Sequence, residues 1–106
     1  MTSNEISIDD LYAIQDRKEL EKISIYNKIL SKFYEKIKYL SKMGRVDFFY
    51  NLPDIIYGLP LYDKNACICY IIYKLRIAGF QTEYVYPSGI HINWDKENKN
   101  NNLLLK

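Results

Sequence analysis

The chain has 106 residues, enough for one domain and too few for two. Apolar residues make up 48% and charged residues 26%, which excludes whole-length disorder and a fibrous repeat. A formal charge of +2 is too near balance to point by itself to nucleic acid, an anionic membrane or an acidic substrate.

Residues 1–17 read as an N-terminal arm with a short helix over 9–14, started by Ser7 or Asp9 as cap and by early carboxylates that suit a helix N-terminus. A stronger helix follows. Ile23, Tyr26, Leu30, Phe33, Ile37 and Leu40 recur at steps of three and four and define one apolar stripe, while Lys28, Lys32, Lys36, Lys38 and Lys42 lie elsewhere on its surface. Gly44 stands where a left-handed cap ends such a helix.

Residues 46–51 form a short aromatic run bounded by Gly44 and Pro53, which predicts a strand. Over 52–62, Pro53, Gly58 and Pro60 forbid a long helix or a central strand, although Pro53 suits the start of a single helical turn. The segment is too apolar for a free loop, so Ile55, Ile56, Leu59 and Leu61 are expected in the core. Gly58, Pro60, Leu61 and Tyr62 lead directly into Asp63, the cap of the next helix, and are expected to pin its start.

From 64 to 78 the chain is apolar around most of a helical circumference and stops at Gly79, which makes this the central helix. Residues 81–86 and 90–94 alternate in period two around Pro87, Ser88 and Gly89, the signature of a hairpin. The predicted core is Leu30, Phe33, Ile37, Phe49, Ile68, Ile71, Ile72, Leu75, Phe80 and Ile92. The expected fold is α+β: a long N-terminal helix, a central helix and a small antiparallel sheet with a C-terminal hairpin, in the winged-helix-like order α-β-α-α-β-β. The domain spans 18–94, and 95–106 reads as a flexible polar tail that carries Leu103, Leu104 and Leu105 just before Lys106.

Phe49, Leu52, Pro53, Gly58, Pro60, Leu61 and Tyr62, then Cys67, the Lys74, Leu75, Arg76 run with Gly79 and Phe80, and finally Tyr84, Pro87, Ile92 and Trp94, resemble a domain of unknown function. That domain is carried by small proteins of nucleocytoplasmic large DNA viruses, the giant viruses. The similarity covers about residues 18–94 and departs from the family pattern at Ser88, where asparagine is more usual. It implies a viral origin and a place in the infected host cell cytoplasm or the virion, and it carries no catalytic or binding residues. The abundance of Ile, Lys, Tyr and Asn (15, 12, 11 and 9 residues) indicates an AT-rich genome and agrees with such an origin.

Function is read by elimination and by tyrosine. The N-terminus lacks a basic region followed by an apolar one, and no window is apolar enough to span a bilayer, so a reducing intracellular location without membrane partners is expected. Cys67 and Cys69, two apart on a helix, point to nearly opposite sides and cannot pair. One histidine, His91, on an outward strand position and four glycines without a phosphate loop give no basis for an enzyme, a metal site, a cofactor or a small-molecule substrate. Eleven tyrosines exceed what this core can hide, and Tyr57, Tyr62, Tyr73, Tyr84 and Tyr86 are the candidate interaction residues for a viral or host protein or for self-association. The alternative is nucleic-acid binding in the winged-helix manner, with phosphate contacts from Lys28, Lys32 and Lys36.

Overall fold

The computed structural model describes residues 7–96, so the expected leucine-bearing tail from 97 onward lies outside the described residues. The fold is α+β, with five elements in the order α1 (Ile8–Lys42), β1 (Asp47–Asn51), α2 (Lys64–Ile77), β2 (Gln81–Val85) and β3 (Gly89–Asn93). The short helix expected over 9–14 is the first part of α1, because nothing between Asp9 and Lys42 breaks a helix. Ser7 and Asp10 form a reciprocal capping box, with Asp10 N–H donating to Ser7 Oγ at 3.2 Å. Gly44, at φ +86°, closes the other end as Arg45 N–H reaches back to the Leu40 carbonyl at 2.9 Å. Among the described residues no helix is long and apolar enough to cross a membrane.

The three strands form one antiparallel sheet in the order β1-β3-β2, with the hairpin placed so that β3 is central. Phe48 and Thr82 stand opposite Ile92, and Tyr50 and Tyr84 opposite Ile90, so these residues share the face turned to the helices. A cis Tyr86-Pro87 bond lies in the hairpin turn. Arg76 clamps α2 to β2 by donating to the Thr82 hydroxyl at 3.0 Å and the Thr82 carbonyl at 2.9 Å.

The core joins the α1 stripe (Tyr26, Ile29, Leu30, Phe33, Ile37) to Leu52, to Cys67, Ile68, Ile71 and Leu75 of α2, and to Ile90 and Ile92. Each such aliphatic side chain contributes roughly 1.5–3 kcal/mol on burial. Four expectations are corrected. Phe49 is not in the core: its partner is His91, so the strand alternation sends it to the outer sheet face, and Phe48 takes the inner position. Ile72 and Phe80 only border the core. Of the apolar residues in 52–62, Ile56 and Leu59 pack on the core but Ile55 and Leu61 are exposed. No helical turn forms at Pro53, so the winged-helix order lacks its middle helix. The segment is instead tied by side chains: Tyr62 Oη donates to the Pro53 carbonyl, and Lys64 Nζ meets Asp54 Oδ1 at 2.6 Å. Asp63 then caps α2, accepting from Ala66 N–H at 3.1 Å.

Candidate functional site

The molecule measures 69 × 35 × 25 Å because α1 outruns the fold. All residues from 7 to 22 are exposed, and the first covered positions are Ile23 and Ile25. Ile8, Leu11, Tyr12, Ile14 and Leu20 therefore stand exposed on a helical arm. The core stripe explains this. Traced back from Ile23 at the same spacing it meets Glu19 and Asp16, so the arm has no apolar seam with which to rejoin the domain. That interruption was the available sequence signal for the arm.

Beside the covered half of α1 two grooves follow one another. The first is lined by Lys18, Lys22, Ile25, Lys28, Pro60 and Leu61, among others. The second, about 400 Å³, is bounded by Ile29, Lys32, Phe33, Lys36, Phe48, Tyr50 and Ile56. Its floor is aromatic: the Phe33 ring meets Phe48 edge-on at 5.9 Å and Tyr50 at 5.5 Å. The three candidate phosphate-contacting lysines, Lys28, Lys32 and Lys36, are thus brought to one side of α1, at the rim of apolar grooves. Phe48 and Tyr50 were not singled out by sequence, and Ile56 was expected only as a core residue. Their signal was the period-two spacing of two aromatics on β1, which registers only when the partner strand is known.

No ring contact links any two of the five candidate tyrosines. Tyr57 is fully exposed, Tyr86 nearly so, and Tyr73 stands out from α2. Tyr84 donates its hydroxyl to the Pro87 carbonyl at 2.6 Å, bracing the hairpin turn. Tyr62 is half-buried, and burial pushes its phenol up to about 12.

His91 is half-covered rather than fully outward, with Nε2 3.3 Å from Asp47 Oδ2. That hydrogen bond, with Arg45 nearby, holds the Asp47 carboxyl below its usual range. Cys67 is fully buried, and burial pushes its thiol up to about 12, so it stays protonated at neutral pH. Cys69 is exposed. Among the described residues no group of three or more His, Cys, Asp or Glu side chains is placed to hold a metal ion.

The model of a family of unknown function (DUF5759) matches residues 6–76, two thirds of the sequence, and the chain belongs to that family. The matched residues include the whole arm, both grooves and α2 up to Arg76, and stop short of the hairpin. No curated protein and no solved structure matches the chain.

Proposed function

We propose that this member of the DUF5759 family is a non-enzymatic protein-interaction module of viral origin, a structural component of the virion, that binds its partners through the arm of α1. The observation that carries this reading is the exposure of Ile8, Leu11, Tyr12 and Ile14 on a helix half with no tertiary cover. An isolated helix of about 15 residues is marginal in water, and most helical stability in proteins comes from packing an apolar face. A partner supplies that packing. The viral origin rests on the resemblance of residues 18–94 to small giant-virus proteins and on the abundance of residues with A/T-rich codons, and a site of action in the infected cell cytoplasm or the virion belongs to the same proposal. The non-enzymatic reading rests on a histidine held by Asp47 and a core thiol kept neutral by burial, and it involves no cofactor and no small-molecule substrate.

The test is capture with cross-linking from infected cells, using the wild type beside a Leu11→Asp, Ile14→Asp variant. Loss of a specific set of proteins in the variant is the expected result, and an identical set from both refutes the reading. The strand order and the row of Lys28, Lys32 and Lys36 favour nucleic-acid binding as the second reading. Against it, the helix expected before α2 is missing, and the exposed side of α2 sets Ala66, Cys69, Tyr73 and Ile77 among Asn65, Lys74 and an Arg76 already tied to Thr82. Binding of random DNA with a steep salt dependence would support the second reading and displace the first.

A further inference from the structure

The partner that best fits the arm is a second copy of the same chain, an identification that rests on the interaction reading above and names its occupant. α1 is electrically divided. Its exposed half, residues 8–22, carries Asp9, Asp10, Asp16, Glu19 and Glu21 against Arg17, Lys18 and Lys22, a net charge of −2. Residues 23–42 carry Lys28, Lys32, Lys36, Lys38 and Lys42 against Glu35 alone, a net charge of +4. Parallel pairing would set like halves together. Antiparallel pairing sets the acidic arm of each copy along the basic half of the other.

The dimensions agree with the charges. The two grooves beside α1 run from Lys18 to Lys36 on one side of the helix, roughly 27 Å at 1.5 Å per residue, and the arm from residue 8 to 22 is about 22 Å long. Residues 18–22 belong to both arm and trough, so one two-fold axis near residue 21 seats both arms at once. In that register Asp10 comes beside Lys32, and Leu11 beside the stretch from Ile29 to Phe33. Near the axis Lys18, Glu19, Glu21 and Lys22 present both signs, so two copies offer each other opposite charges there too. Leu61, 78% exposed at the wall of the first groove, supplies apolar cover beside Lys22 and Ile25. In the same register the aromatic floor of the second groove meets Ile8 and Leu11.

From this geometry we infer that the protein forms a two-fold homodimer in which the acidic α1 arm of each copy lies antiparallel in the lysine-rimmed trough of the other. Arm and trough both fall within the residues that the family model matches.

The experiment is sedimentation velocity on the full chain at about 100 μM, with two charge-reversed variants checked for helix content by circular dichroism. Asp10→Lys with Asp16→Lys takes the arm from −2 to +2, and Lys32→Glu with Lys36→Glu reverses both lysines of the second groove and brings residues 23–42 from +4 to zero. The wild type is expected at twice the 12.7 kDa chain mass, with an association that weakens as salt rises. Each variant alone is expected to dimerise about tenfold more weakly or worse, and an equimolar mixture of the two to recover the dimer, since the reversed arm then meets the reversed groove positions. A monomeric wild type, a dimer indifferent to both reversals, or a mixture that stays monomeric would each overturn the pairing. The capture experiment remains separate: a monomeric wild type whose arm variant still loses captured proteins would sink the homodimer and keep the interaction module.

Discussion

Truncating Tyr62 tests whether the proline-rich segment is a structural brace. Its hydroxyl donates to the Pro53 carbonyl and its half-buried ring packs against the core, so the side chain closes the loop from 53 to 62 just before Asp63 caps α2. Tyr62→Phe removes one hydrogen bond whose acceptor water can reach, a loss of about 1 kcal/mol. Tyr62→Ala also removes the ring. Full burial would make that cost 3–5 kcal/mol, and at half cover the total comes to about 3 kcal/mol. With an unfolding entropy near 2.1 cal/mol/K per residue, 1 kcal/mol in a domain of this length moves the melting temperature by roughly 4–5 °C. The expected falls are therefore about 4 °C for phenylalanine and about 12 °C for alanine, read by circular dichroism at 222 nm and by the urea midpoint. A Tyr62→Ala protein that melts within about 1 °C of the wild type refutes the brace. If that protein also lost its captured partners, the segment would be a recognition element instead.

Two further outcomes follow from single contacts. A Cβ added at Gly89 would stand 2.8 Å from Phe49 Cε2 and 3.0 Å from Asn51 Oδ1, because the Phe49 ring lies over this glycine on the outer sheet face. Gly89→Ala should cost about 1 kcal/mol in urea unfolding and clearly less in a Phe49→Ala background, whereas equal costs would show that the ring is not the obstacle. Burial raises Tyr62 and Cys67 to about 12 each, against ordinary values of 10 and 9. Above pH 9 the unfolded chain loses these protons before the folded one does. Stability should be full below pH 9 and decline as pH rises toward 12, and a urea midpoint unchanged between pH 8 and 11 would contradict this.

Local chemistry was legible wherever one short stretch of chain decides the outcome. Ser7, Gly44, Asp63 and Gly79 mark the ends of both helices because caps depend on nearest neighbours, and Gly44 and Gly79 do take positive φ angles. The α1 stripe and the hairpin alternation were equally plain, since their periods are backbone geometry. The sheet order was not, because β1 meets β3 across the whole of α2, and that pairing decides that Phe48 faces inward and Phe49 outward. The same long-range choice places Phe48 and Tyr50 against Phe33 and so builds the aromatic floor of the second groove. The tyrosine candidates illustrate a related limit: number in the sequence says nothing of distance in space, and although 57, 73 and 86 are all exposed, no ring contact joins them. What covers a helix is likewise a tertiary fact. Sequence alone read an arm with a short helix over 1–17, but only the packed domain, whose covered positions along α1 begin at Ile23, decides that the bare helix is continuous with α1 and runs on to residue 22.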